Sequence, residues 1–248
     1  MSDVNWDELA KNKSFQAVID PLDVIGIKNS LIDQIQWNAI SKSLKGNGSI
    51  LDFGCGMGRF AQRLVDRSLK YYGVDSSSGM INSAKQLIAS DDVEFIYSSG
   101  LPLPFEYGHF NICISVMVLQ YLMEQRGKEG GDIFSELARV IAPGGQLLII
   151  EQASASGRSS GTVNVCATEA DYIEALSEAF IVERVERIRC CKMTRLSLIY
   201  LRYGKMLPFK RLAIQFLAKQ EAQQALNADE KVLQAMDYYD ICIKAVKK

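Results

Sequence analysis

Histidine is nearly absent from this chain: His109 is the single one among 248 residues. It stands just before Phe110 in a loop entering a predicted strand, away from the strand's carboxyl end, and reads as a surface residue. With no imidazole base at hand, any hydroxyl the protein deprotonates needs a carboxylate, a tyrosine or water, or must arrive ionised. An excess of one charge is lacking too. Lysine and arginine number 28 against 29 aspartates and glutamates, a balance that gives no reason to expect a nucleic-acid binder. No uninterrupted apolar stretch is long enough to span a bilayer, and the opening MSDVNWDELAKNK is polar and acidic, unlike a signal peptide. The expected compartment is the cytoplasm. Six cysteines are scattered without CxxC spacing, and the adjacent Cys190 and Cys191 have poor geometry for bridging each other, so all are expected to be reduced. The length suits one decorated domain better than two equal ones.

What the chain does have is concentrated in Ile50–Phe60, ILDFGCGMGRF, where a short apolar strand passes into a helix through glycines at alternate positions. Gly54, Gly56 and Gly58 take away Cβ atoms where the backbone turns sharply and must lie close to a ligand, and the following helix aims its positive end there. A nicotinamide loop would read G-x-G-x-x-G, with its third glycine where Arg59 stands. Asp52 precedes the loop, and Cys55 within it reads as a small packing residue rather than a reactive thiol. The next apolar run, Tyr71–Val74, ends in Asp75. An acid at that strand tip can hold both hydroxyls of a ribose.

Periodicity predicts helices over 28–45, 58–68, 78–89 and 131–140, alternating with strands over 49–53, 71–75, 93–97, 110–115 and 146–151. Alternation of this kind means a parallel sheet with helices on both faces, and a ligand site outside the carboxyl ends of the strands, where Gly54, Asp75, Ser99 and Ser115 would gather. After Glu151 the polar loop ASASGRSSGTVN is too long for a turn and is expected to move. Thr168-Glu-Ala-Asp171 resembles a capping box with aspartate in place of glutamate, opening a helix to about Ala179, and a strand over 181–189 follows.

This ordered set also includes Phe95-Ile-Tyr-Ser-Ser-Gly100, the Leu103-Pro104-Phe105 turn and Pro143-Gly144-Gly145. Over residues 48–152 it resembles the class I S-adenosylmethionine-dependent methyltransferases, particularly the small-molecule branch that includes quinone-biosynthesis enzymes. The resemblance implies an α/β, Rossmann-like, seven-stranded and mostly parallel sheet. Its antiparallel last strand, over 238–246, would lie beside the sixth. It implies S-adenosylmethionine as cofactor and no metal. Gly54, Cys55 and Gly56 would cradle the ligand, with Asp52 and the loop carbonyls receiving the methionyl ammonium. Asp75 would take the ribose, and Ser76 and Met80 would lie beside the adenine. Ser99, Gly100 and Leu101 would contact its edge or face, while Ser115 and Val116 close the other side; core packing is the alternative for Met80. Departures from the family pattern are Ser99 and Asn111, where aspartates are frequent, and Gln120, where relatives often place a histidine near the acceptor. Gln120 and Tyr121 would orient the acceptor. Glu151, at the tip of the fifth strand, is the best-placed carboxylate, with a structural or cofactor-side role as its alternative.

Ser115-Val116-Met117-Val118 replaces the D/N-P-P-Y/F and Pro-Cys motifs of base-modifying relatives, which disfavours adenine amino methylation and cytosine C5 methylation. Trp6-Asp-Glu-Leu-Ala10, Ile19-Asp-Pro-Leu-Asp23 and Lys28-Asn29 are weakly similar to methyltransferases of bacterial surface-polysaccharide pathways, which tilts the small-molecule acceptor toward a sugar or sugar-linked hydroxyl. An RNA methyltransferase and a catalytically silent cofactor-binding module are the competing readings.

The expected organisation is an N-terminal helical cap over 1–47, the core over 48–192, a helical insertion over 193–236 between the last two strands, and the last strand over 237–248. In the insertion Pro208 separates Leu196–Leu207 from Phe209–Leu226. From Arg187 to Gln220 there is no acid, against Arg187, Arg189, Lys192, Arg195, Arg202, Lys205, Lys210, Arg211 and Lys219. That run is either a solvated cap with snorkelling side chains or a surface for an anionic substrate or an anionic membrane, with nucleic acid as the third choice.

Overall fold

The structure, a computed structural model, describes residues 5–11, 19–20, 22–23, 26–44, 46, 48–67, 69–123, 132–155, 157, 167–190, 210–236 and 238–248. Helix α1 (Trp6–Ala10) is followed by α2 (Ile27–Ser43), β1 (Gly48–Phe53), α3 (Ala61–Val65), β2 (Leu69–Asp75), α4 (Ser78–Leu87), β3 (Val93–Tyr97) and β4 (Phe110–Val116). Then come α5 (Leu119–Met123), α6 (Ile133–Val140), β5 (Ile141–Ala153), α7 (Glu169–Leu176), β6 (Phe180–Cys190), α8 (Lys210–Leu226), α9 (Glu230–Gln234) and β7 (Tyr239–Lys247).

These strands form one seven-stranded sheet in the order β3-β2-β1-β4-β5-β7-β6. Strands β1 to β5 pair in parallel, and β7 runs antiparallel to both β5 and β6, the Rossmann-like arrangement with an antiparallel last strand. Buried residues divide into a cluster on each face of the sheet. One takes Leu31 and Ile35 of α2, Leu64 of α3, Ile81 of α4 and Ile214 of α8; the other takes Phe134 and Leu137 of α6 with Tyr172 and Leu176 of α7. Helix α2 owes its place to Leu31, Ile32, Ile35, Ala39 and Ile40, all buried at helical spacing. The switch in strand order between β1 and β4 opens a crevice at the carboxyl ends of the strands.

Several boundaries differ from expectation for identifiable reasons. The helix after the glycine loop begins at Ala61 rather than residue 58, because Gly54, Gly56 and Gly58 all have positive φ and hold the chain out of the helical region. Strand β5 starts at Ile141, since Pro143-Gly144-Gly145 is absorbed as an irregularity between the Phe110–Ile141 and Ile112–Gln146 pairs. Helix α5 lies in a stretch without a helical pattern long enough to predict it. Thr168 and Asp171 do form a capping box, with Thr168 N–H donating to Asp171 Oδ2 at 2.7 Å and Asp171 N–H to Thr168 Oγ1 at 3.2 Å, but the helix stops at Leu176.

Most of the loop after Ala153 and the Leu196–Leu207 segment lie outside the described residues, as do Lys192, Arg195, Arg202 and Lys205. Two members of the basic run are not free cations. Arg187 pairs with Glu169 at 2.8 Å and Arg189 with Asp240 at 2.6 Å, both acids coming from distant parts of the chain. Among the described residues no helix is long and apolar enough to cross a membrane.

Candidate functional site

The three glycines after β1 are required for different reasons. A Cβ at Gly54 would come within 2.2 Å of Val118 Cγ2, and one at Gly58 within 2.5 Å of the Phe95 ring, so both serve close packing. A Cβ at Gly56 would meet nothing within 4 Å. Its φ of +53° and its open side make it the place where a ligand can reach the loop backbone. The loop is tied to β2 by Gly54 N–H and Cys55 N–H, both donating to Val74 O.

Asp75, at the tip of β2, locks the loop from the other side. Its Oδ2 accepts from Gly56 N–H and its Oδ1 from Ser77 N–H, each at 2.8 Å, leaving the outer lone pairs of both oxygens for a ligand. Burial pushes its carboxyl above the ordinary range, against the pull of those amides. Asp52 lies deeper. It is 2% exposed, accepts from Tyr71 Oη at 2.7 Å, and is pushed up to about 7 by burial, with the tyrosine bond working the other way.

A single cavity of about 950 Å³ runs along these groups. Of the residues singled out from the sequence, Asp52, Gly54, Cys55, Gly56, Asp75, Ser76 and Met80 line it, together with Ser99, Gly100, Leu101, Val116 and Gln120. Cys55 is buried, and burial drives its thiol well above its ordinary range, so it stays a neutral packing group. His109 is exposed at the amino end of β4, its ring against Tyr72, Phe105 and Phe110.

The Tyr121 side chain lies outside what the structure describes, and two of the other candidates are not in the cavity wall. Ser115 is fully buried within β4, and the parity of the strand gives the wall to its neighbour Val116. Glu151 is fully buried as well. Its Oε1 accepts from Val118 N–H at 2.7 Å and Leu119 N–H at 2.6 Å, which makes it a clamp on the turn after β4. That turn is strained: Met117 has φ +60°, a conformation costing a β-substituted residue on the order of 1 kcal/mol. The clamp and the Met117 N–H to Ile150 O bond, 2.8 Å, hold Val118 over Gly54 and bring Gln120 to the cavity.

The sequence reading did not single out several wall residues. Gln36 and Arg59 are joined at 2.8 Å, and Arg59 also holds Asp33 at 2.8 Å, binding α2 to the glycine loop. Gln152, Arg189 and Tyr238 stand at the far end. In the sheet Gln152 pairs with Asp240, which pairs with Arg189, so one row crosses β5, β7 and β6 at the mouth of the crevice. The rule that ligands sit at strand carboxyl ends could have pointed to Gln152 and Arg189. Nothing local marks Tyr238 or Gln36.

Two of the raised carboxyls, Glu151 and Asp52, predict how stability depends on pH. Glu151 is pushed up to about 8 by burial, against the opposing effect of its backbone amide bonds, and Asp52 to about 7. Unfolded carboxyls titrate near about 4, so above that pH the folded state binds more protons than the unfolded one, and stability falls as pH rises toward the folded values. Melting temperature should decline from pH 5 to 8. Glu151→Gln keeps an acceptor for the Val118 and Leu119 amides and should flatten the upper part of that decline, as Asp52→Asn should the lower. Identical slopes in the wild type and both variants would contradict the assignment.

A parallel Rossmann-like sheet with a β7 insertion, a glycine loop after β1 and an acid at the tip of β2 defines the class I methyltransferase architecture. Residues 51–149 match the family described as "Methyltransferase domain". Over 51–149 the chain is thus similar to a methyltransferase domain, and the sheet order agrees with that fold. A demethylmenaquinone methyltransferase of Clavibacter sepedonicus is 33% identical over 103 residues, 41% of this chain and 40% of that protein. An 18S rRNA (guanine-N(7))-methyltransferase of Bos taurus is 30% identical over 135 residues, 46% of this chain and 47% of that protein. The chain therefore spans less than half the length of these curated relatives. Among solved structures, the geranyl diphosphate C-methyltransferase of Streptomyces coelicolor A3(2), in complex with Mg2+, geranyl diphosphate and S-adenosyl-L-homocysteine, superposes with a TM-score of 0.60. The match covers 100% of both chains at 15% identity, a likeness of fold alone.

Proposed function

We propose that the protein transfers the methyl group of S-adenosylmethionine to a hydroxyl of a small acceptor, in particular a sugar or sugar-linked metabolite. The carrying observation is one continuous cavity. It joins the Gly56 and Asp75 end to an end lined by Gln120, Gln152 and Tyr238, and its volume of about 950 Å³ is near the upper limit for small-molecule sites. The residues fit the cofactor: Gly56 and Gly100 leave open the space that a Cβ would fill, and Asp75 has acceptor capacity at both oxygens. When bound, S-adenosylmethionine supplies a sulfonium methyl group as the electrophile. The chain's part is to hold the acceptor behind that methyl and keep water out.

Among the described residues the wall carboxylates other than Asp75 are already engaged. Asp20 accepts from Lys28 Nζ at 2.5 Å and Leu22 N–H at 2.9 Å, Asp132 caps α6, and Asp52 is bonded to Tyr71. Gln120 and Gln152 at the acceptor end favour neutral hydroxyls oriented by amide groups over an acceptor deprotonated by the protein. Helix α8 packs against β6 and α2 with Arg211 and Lys219 exposed outside the cavity wall, a basic surface open to an anionic part of the acceptor that extends beyond the cavity or to peripheral membrane contact through 187–220.

The test is transfer of labelled methyl to pools of sugar nucleotides, lipid-linked sugars, small phenols and RNA. Transfer to a sugar class is expected. Gln120→Ala should lower kcat about tenfold, the scale of one lost orienting hydrogen bond, while cofactor affinity stays within about twofold. Transfer to RNA alone would favour the competing RNA reading that the Bos taurus relative suggests, and tight cofactor binding with no transfer would favour a silent module.

A further inference from the structure

Helix α1 has only five residues, too few to persist in water alone, so its existence depends on what it is docked to. It is docked to the cofactor end of the cavity. Asp7 Oδ1 accepts from Ser77 Oγ at 2.6 Å and from Gly79 N–H at 2.8 Å, at the first turn of α4 and two residues from Asp75. A Cβ at Gly79 would come within 3.1 Å of the Asp7 backbone, so the sequence leaves room for this contact. Ser83 Oγ donates to Ala10 O at 3.2 Å, and Ala10 is buried in a cluster with Met57 and Met80. The side chain this clasp delivers to the cavity is Trp6, in the same wall as Asp75, Ser76 and Met80.

We propose that α1 is a working part of the cofactor site: Trp6 is a binding residue for the adenosine portion, and Asp7 is the positioning residue that pins it there. The inference rests on the S-adenosylmethionine reading and deepens it. An indole offers a flat apolar face suited to a purine, and Asp7 locks it by occupying donors on the very turn that carries the ribose acid. Two hydrogen bonds hold the Asp7 carboxyl below its ordinary range, so the clasp is closed at neutral pH.

The chain has two tryptophans, Trp6 and Trp37, and Trp37 packs on Phe60 outside the cavity wall. A Trp37→Phe variant therefore makes Trp6 the sole indole reporter. Titrated with S-adenosylhomocysteine, its emission should change along the calorimetric binding curve. Adding Asp7→Ala should abolish most of that change and weaken binding about tenfold, whereas Asp7→Asn, which keeps an acceptor oxygen, should restore both to within about twofold. Trp6→Ala, which leaves the Asp7 bonds intact, should weaken binding comparably and serves if Asp7→Ala folds poorly. Calorimetric binding by the wild type with a silent Trp6, or with affinity unchanged in Asp7→Ala and Trp6→Ala, overturns the clasp alone. No binding by the wild type overturns the cofactor reading and the clasp with it.

Discussion

Asp75→Ala should lower affinity for S-adenosylhomocysteine by at least about a hundredfold. Two consequences of the substitution add. Each hydrogen bond from a ribose hydroxyl to an ionised carboxylate is worth about 1.5–3 kcal/mol, and the alanine removes both. It also strips Gly56 N–H and Ser77 N–H of their acceptor, so the loop backbone that must meet the ligand loses its anchor to β2. The sum exceeds about 2.7 kcal/mol, which is the hundredfold. Asp75→Asn separates the parts. Its amide can still accept one of the two backbone bonds but turns an NH2 toward the other N–H, so an intermediate loss is expected. Calorimetry measures both, with circular dichroism checking that the fold survives; a loss smaller than about threefold in Asp75→Ala would remove this residue from the site.

The legible parts of the molecule were those whose cause is local. Gly54, Gly56 and Asp75 announce a loop and a strand tip within a short stretch of chain, and β3 runs over Val93–Tyr97 as its alternation predicts. Thr168 and Asp171 cap α7 because the capping box needs only residues three apart. Glu151 shows where local signals stop being enough. Its position at a strand tip is readable, but whether its carboxylate enters the cavity depends on the pleat of β5 against its neighbours. The pleat gives the cavity to Gln152 and turns Glu151 under the strained turn at Met117. The basic run fails for a related reason. Counting acids along the sequence finds none from Arg187 to Gln220, yet the fold places Glu169 beside Arg187 and Asp240 beside Arg189. Trp6 reaches the cavity through contacts distant in sequence, among them that of Asp7 with a helix start seventy residues away, at Ser77.

Asp240→Ala should be the most destabilising single substitution in the acceptor half of the site. Arg189 is 3% exposed and Asp240 0%, and the pair is bidentate, Nε to Oδ2 at 2.6 Å and Nη2 to Oδ1 at 2.8 Å. Burial works against the guanidinium charge, and the facing carboxylate overrides it and holds Arg189 above its ordinary range. Taking away one member strands the other charge in the interior, at a cost of about 3–5 kcal/mol, or a melting temperature lower by about 10 °C in a chain of this size. Replacing both by apolar groups, Arg189→Met with Asp240→Leu, removes the stranded charge and should recover most of the stability. Function should not follow stability. Arg189 and Gln152 belong to the cavity wall and flank Asp240 in one row, so the double variant should fold and bind S-adenosylhomocysteine while methyl transfer falls about tenfold or more, through the acceptor's KM if the row binds and through kcat if it orients. Urea unfolding and steady-state kinetics on the three proteins separate these effects. A double variant as unstable as Asp240→Ala would mean that the row carries the sheet through contacts other than the ion pair, and one with unimpaired transfer would mean that the acceptor does not use this end of the cavity.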